Sequence, residues 1–391
     1  MRDDLGLAAR RSRPRTSRIA EQELAPQSQI SHGMRFALGC ALRLTIALAA
    51  ILIPAPLVAQ DAKLPAQIRA DYRKLLDRPK VPLDVRTHDT RPLGVDGWTL
   101  ESLDFASEKK ADGSFERVPT LVSRPTKSAG RRPIVIVLHG TGGSAEGEVG
   151  FLKELAARDI LGVAIDARYH GKRSGGAKGA TAYNGAIARA WKTGKEHPFY
   201  YDTVWDLWRL VDYLETRPDV DAKKIGMIGF SMGGIETWLA ASVDERVLVS
   251  VPAIAVQSFR WSLDNDAWQG RANSIKVAHE MVAKDLGESK VNQHVCRELW
   301  TKVIPGITGE FDCPNMLRLF PGRPLLIVGG MKDPNCPYTG AKIAVASAEQ
   351  AYKQAGATDK LRVMYADVAH AVTAEQHRAA LDWFSQWLTK K

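Results

Sequence analysis

From residue 134 onward the chain alternates short, unbroken apolar runs with longer stretches in which apolar residues recur at helical spacing. The runs lie at 134–138, 160–165, 225–230, 247–256 and 325–328. Continuously apolar segments of this length predict strands covered on both faces, as in a parallel sheet. Helices are predicted at 203–214, 235–241, 341–355 and 375–388. Strand alternating with helix predicts a mostly parallel α/β sheet with right-handed crossovers and helices on both faces. Upstream, a helix is expected at 65–76, then a connector punctuated by proline to about residue 94. A hairpin follows at 98–105 and 118–122, turned by Ala111-Asp112-Gly113. One interval breaks the rhythm: about 70 residues separate the runs at 247–256 and 325–328, and loops that long are functional or separately folded. Helical patches and the rings of Trp261, Trp268 and Trp300 predict an inserted lid over roughly 257–322, with Trp261 and Trp268 as candidate pocket residues.

Composition narrows the class. With 45% apolar and 25% charged residues among 391, the chain can bury a large core. Its formal charge of +10 is concentrated near the start, where residues 1–59 hold eight Lys/Arg against four Asp/Glu, leaving 46 against 40 in the remainder. No basic run interleaved with aromatics occurs there, so no nucleic-acid partner is expected. Residues 34–59 have the order of a signal peptide: Met34-Arg35 to Arg43 is basic, 44–58 is apolar, and small Ala59 precedes Gln60. The apolar stretch is too short, and too rich in proline at Pro54 and Pro56, for a stable membrane span. Export to the periplasm or medium after a cut near Ala59 is therefore expected, with 1–33 a disordered leader or an over-extended start. Cys40 would leave with the signal. Cys296, Cys313 and Cys336 would remain, allowing one disulfide, for which Cys296 with Cys313 is the preferred pair. No short-spaced Cys or His pair suggests a metal, and no cofactor is expected.

The chemistry begins at Gly229-Phe230-Ser231-Met232-Gly233, between a predicted strand and a predicted helix. A sharp strand-to-helix turn strains the serine backbone and leaves no room for side chains two residues to either side, where both glycines stand. It also aims a helix N-terminus at the serine oxygen. A nucleotide-binding turn is the alternative, but neither a Gly-x-Gly start nor a Gly-Lys-Ser/Thr loop is present. Ser231 as nucleophile needs a base and an orienting acid. His370, opening the loop after the run at 362–365, is the base expected from position; His377 and His294 are placed less well. Asp333 directly follows the strand at 325–328 and is the expected acid, with Asp367 as runner-up. In His139-Gly140-Thr141-Gly142-Gly143, after the first strand, the N–H of Thr141 or Gly142 would join that of Met232 in an oxyanion hole. His139 itself is expected to be a structural hydrogen-bonder.

These ordered motifs resemble the α/β-hydrolase superfamily from about Trp98 to the C-terminus. Within it the chain is similar to the dienelactone hydrolase and acetyl xylan esterase groups and to the catalytic domain of prolyl oligopeptidase-type peptidases. Asp166-Ala167-Arg168-Tyr169-His170-Gly171 resembles a segment that shapes the site mouth in such enzymes. The resemblance implies Ser231 as nucleophile, Asp333 as acid and His370 as base. Only about 35 residues lie between the signal and the first strands, too few for a propeller, which argues against a full prolyl oligopeptidase. The expected function is hydrolysis of small-molecule or carbohydrate esters through an acyl-enzyme. A serine peptidase or amidase with the same triad, and a silent binding protein on the same scaffold, are the rivals.

Overall fold

The computed structural model describes residues 63–127 and 130–389; the segments expected as leader and signal, the expected cut near Ala59 and Cys40 lie outside the described residues. The described residues form one compact unit. It opens with α1 (Pro65–Leu76), whose Ile68, Tyr72 and Leu76 face inward at helical spacing. Next come β1 (Arg86–Pro92) and the hairpin β2 (Trp98–Lys109) and β3 (Phe115–Pro125). β4 (Arg132–Leu138), α2 (Val149–Ala156) and β5 (Leu161–Ile165) follow, then α3 (Thr181–Thr193), α4 (Tyr201–Thr216), β6 (Val220–Phe230), α5 (Met232–Val243) and β7 (Val247–Ala253). The long interval holds α6 (Phe259–Asp264), α7 (Gln269–Ser274), α8 (Lys276–Asp285), α9 (Gln293–Val303) and α10 (Cys313–Leu317). The chain closes with β8 (Leu325–Gly330), α11 (Tyr338–Gln354), β9 (Leu361–Ala366) and α12 (Ala374–Leu388).

Among the described residues nine strands join one sheet in the order β1-β2-β3-β5-β4-β6-β7-β8-β9. The first three run antiparallel to their neighbours and the rest are parallel. Alternation along each strand splits the core between the two faces. Ile134, Ile136 and Leu138 meet α4, α5 and the inserted helices on one face, while Val135 and Val137 meet α2 and α12 on the other. β1 was not predictable as a strand, because every residue of Arg-Thr-His-Asp-Thr-Arg-Pro is exposed and no apolar alternation marks it.

The segment expected as a lid packs as part of the body. Phe259, Leu263, Ala278, Val282, Leu299, Trp300 and Ile307 are all fully buried in the same cluster as α3, α4 and α5. The expected Cys296–Cys313 disulfide is not formed: Cys296, Cys313 and Cys336 are free thiols, each buried in place. Burial pushes the Cys296 thiol up to about 12 and the Cys313 thiol well above its ordinary value, so these two behave as small apolar core residues, while Cys336 donates to the Ile254 carbonyl (3.3 Å). Among the described residues no helix is long and apolar enough to cross a membrane.

Candidate active site

Ser231 stands between β6 and α5 with φ 55° and ψ −108°, in the left-handed half of backbone space where a side chain is strained. The turn is held from both sides. Ser231 N–H donates to the Ala253 carbonyl at the end of β7 (3.0 Å), and Gly233 N–H donates to the His139 carbonyl after β4 (3.2 Å). The two glycines are required by contact: a Cβ on Gly229 would lie 2.1 Å from the Gly233 oxygen, and one on Gly233 would lie 2.5 Å from the Leu138 oxygen.

The structure brings the three expected side chains into one hydrogen-bonded line. His370 Nε2 is 2.7 Å from Ser231 Oγ, and His370 Nδ1 is 2.7 Å from Asp333 Oδ2. An ionised carboxylate only accepts, so Nδ1 carries the ring proton and Nε2 is left to accept from the serine hydroxyl. The other carboxylate oxygen of the buried Asp333 accepts from the N–H groups of Asn335 (2.8 Å) and Cys336 (3.1 Å). The acid and histidine loops are laced together by Met331 N–H to the Ala366 carbonyl (2.8 Å) and Lys332 N–H to the Val368 carbonyl (3.0 Å). The imidazole keeps 23% of its surface exposed, so the line ends at an open surface and not in a sealed chamber. Asp367, the alternative acid, instead pairs with Lys332 on the surface (2.8 Å). His377 pairs with Glu154 (3.0 Å), and His294 is exposed on α9.

Met232 opens α5, so its N–H is one of the helix-start donors without an intrahelical acceptor. Gly140 lies against Ser231, close enough that a Cβ there would be 3.7 Å from the Ser231 Cβ. From it the chain makes a turn closed by Gly143 N–H to the Gly140 carbonyl (3.0 Å), with Thr141 and Gly142 at its tip and Gly142 at φ 82°. His139 is bonded through both ring nitrogens, Nδ1 donating to the Gly140 carbonyl (2.8 Å) and Nε2 accepting from Ala167 N–H (3.2 Å). Burial pushes this imidazole down, leaving it a neutral brace for the turn.

The segment from Asp166 to Gly171 backs that turn. Asp166 accepts from Ala145 N–H and Lys172 N–H (both 2.8 Å). Arg168 is bidentate to Asp206 (2.7 and 2.9 Å), and Arg173 reaches the same carboxylate (2.8 Å). Burial alone would push the Asp206 carboxyl up, but the two guanidiniums overcome it and hold it below the usual carboxylate range. Trp261 and Trp268 are not among the groups that assemble the triad. Trp261 packs against α11 at Gly340, and Trp268 donates to Asp266 (2.8 Å) beside a cleft of about 840 Å³ that no triad residue lines. Sequence reasoning missed Arg271, a fully buried cation behind the acid loop. Nothing in its local sequence, Gln-Gly-Arg-Ala-Asn-Ser, distinguishes it from a solvated arginine.

Residues 103–260 match the family described as Acetyl xylan esterase (AXE1). Acetyl xylan esterase 1 from Thermoanaerobacterium sp. is similar in structure at a TM-score of 0.59 and 18% identity, over 84% of this chain and 95% of that one. The chain has the α/β-hydrolase fold. A glucuronoyl esterase from Solibacter usitatus shares the fold at a TM-score of 0.56 and 16% identity, over 83% and 92% of the two chains. In sequence, the chain is 25% identical over 337 residues to YtaP of Bacillus subtilis (strain 168), which is named as a hydrolase; the match spans 82% of this chain and 100% of that one.

Proposed function

We propose that this α/β-hydrolase cleaves carboxylic esters through an acyl-enzyme formed on Ser231. The observation that carries the reading is the unbroken line from Asp333 through His370 to a strained serine at a helix N-terminus. His370 takes the hydroxyl proton as Ser231 attacks the ester carbonyl, and Asp333 stabilises the imidazolium that results. The N–H of Met232, with that of Thr141 or Gly142, receives the negative charge developing on the carbonyl oxygen, and the N-terminal end of α5 adds its dipole. The alcohol leaves with the proton held by His370; water then repeats the sequence and frees the acid. The names of the similar proteins, acetyl xylan and glucuronoyl esterases, favour an ester of a carbohydrate as substrate. An open site suits a substrate whose alcohol side is bulky. The basic-apolar-small order of residues 34–59 supports export before catalysis.

The test is labelling with a fluorophosphonate probe together with turnover of p-nitrophenyl acetate and of prolyl and aminoacyl p-nitroanilides. Labelling of the wild type but not of Ser231→Ala, with ester turnover and no anilide turnover, is expected. Equal labelling of both proteins would remove Ser231 from the mechanism, and anilide turnover matching the ester would replace the esterase by an amidase.

A further inference from the structure

The guanidinium of Arg271, on α7, is as buried as the apolar core at 1% exposure, yet among the described residues no carboxylate forms an ion pair with it. A buried charge without a direct counter-ion costs several kcal/mol, which a leucine or methionine in the same space would not. Its bonds go to neutral groups that converge on the acid loop. One Nη donates to the Asn335 carbonyl (3.1 Å) and to Cys336 Sγ (3.3 Å). With the Gln257 amide turned to the orientation its neighbours require, the Nε donates to its side-chain oxygen (3.2 Å) and its amide nitrogen donates to the same Asn335 carbonyl (2.9 Å). The buried phenol of Tyr200 is a neighbour that favours the charged guanidinium. Tyr200 is held in a strained three-residue turn at φ 72° and ψ −52°, closed by Tyr201 N–H to the Phe199 carbonyl (3.0 Å).

The Asn335 carbonyl and the Cys336 N–H are two ends of one peptide group. Its oxygen accepts from Arg271 and Gln257, and its N–H donates to Asp333 Oδ1. A cation on the oxygen polarises the peptide and makes the N–H a stronger donor, so the two bonds reinforce each other. The backbone of α7 is seated equally close: a Cβ on Gly270 would fall 2.0 Å from the Pro334 oxygen. Burial works against the charge on Arg271, but Tyr200, Cys336 and Asp333 outweigh it and keep the guanidinium ionised.

We infer that Arg271 is a positioning residue: acting through the Asn335–Cys336 peptide, it holds Asp333 in line with His370, so that the inserted helices set the geometry of the acid. The inference rests on Ser231, His370 and Asp333 being the catalytic triad. It is tested by a double-mutant cycle on the full chain, measuring kcat and KM for p-nitrophenyl acetate per folded protein. Arg271→Met is expected to lower kcat about 30-fold, since misplacing a reacting group by about 1 Å costs up to 10²-fold, with KM changed less than about threefold. In the Asp333→Asn background the same change is expected to cost less than about threefold, because aiming the acid no longer matters. Arg271→Lys, which keeps the charge but not the forked contacts, should recover part of kcat. Should Arg271→Met not fold, Gln257→Leu removes the second donor to the Asn335 carbonyl and is expected to show the same non-additivity. Equal losses in both backgrounds, or an unchanged kcat in Arg271→Met, would overturn the positioning role and leave the triad standing. If Asp333→Asn alone kept kcat within tenfold, the triad reading would fall, and this inference with it.

Discussion

Replacing Asp333 by asparagine puts the proposed mechanism under the sharpest strain, because the substitution keeps the shape of the side chain and changes only where protons sit. One carboxylate oxygen accepts from two buried N–H groups, at 2.8 and 3.1 Å, and the other faces His370 Nδ1 at 2.7 Å. If the asparagine oxygen keeps the two N–H bonds, its NH₂ faces Nδ1, the ring proton moves to Nε2, and the ring can no longer accept from Ser231. The opposite orientation restores the working tautomer but turns NH₂ toward two donors and leaves both unpaired. Each buried unsatisfied group costs about 1–3 kcal/mol, so the working orientation lies about 2–6 kcal/mol above the idle one. At about 1.4 kcal/mol per factor of ten, kcat should fall between about 30-fold and 10⁴-fold. Initial rates on p-nitrophenyl acetate, with urea unfolding to show that the variant is folded, provide the assay. Asp367→Asn serves as the control and should stay within about twofold, since that side chain is 66% exposed and pairs only with Lys332 among the described residues. A kcat for Asp333→Asn within tenfold of wild type, or a larger loss in Asp367→Asn, would refute the assignment of the acid.

Three further outcomes are expected. Asp206→Ala leaves the buried guanidiniums of Arg168 and Arg173 with only the less buried Glu108 and Glu116 as partners and should cost about 3 kcal/mol in urea unfolding, the low end for breaking a buried pair; a loss under about 1 kcal/mol would show that the network is not coupled. His279 is buried with Nε2 accepting from Trp300 Nε1–H (3.1 Å), and burial pushes its imidazole down to about 4. The unfolded chain takes up this proton as pH falls through about 6.5, whereas the folded chain resists until about 4, so stability is lost across that window on the order of 3 kcal/mol. His279→Phe should therefore lose correspondingly less stability than wild type between pH 7 and pH 4, and identical pH slopes would contradict this. Alkylation after unfolding without reductant should modify Cys296, Cys313 and Cys336, and a linked peptide in a non-reducing digest would show that a disulfide had formed.

What was legible in the sequence is what depends on neighbours along the chain. The apolar runs of β4 to β8 are continuous because both sheet faces are covered. The strand, glycine, serine, glycine and helix around Ser231 are a local steric necessity, and His370 follows from its place after the last strand. The Gly140 to Gly143 turn was marked by composition alone. Tertiary structure decided the matters in which distant segments compete for one partner. It gave Asp333, and not Asp367, to His370, because the acid loop turns inward against α7 while Asp367 is left to Lys332 at the surface. It kept the thiols of Cys296 and Cys313 apart within a packed core, made β1 a strand through edge pairing without any apolar pattern, and folded residues 257–322 into the body. It also placed Arg271 behind the acid loop. The position of a buried charge depends on which chain segments enclose it, and local sequence carries no record of that.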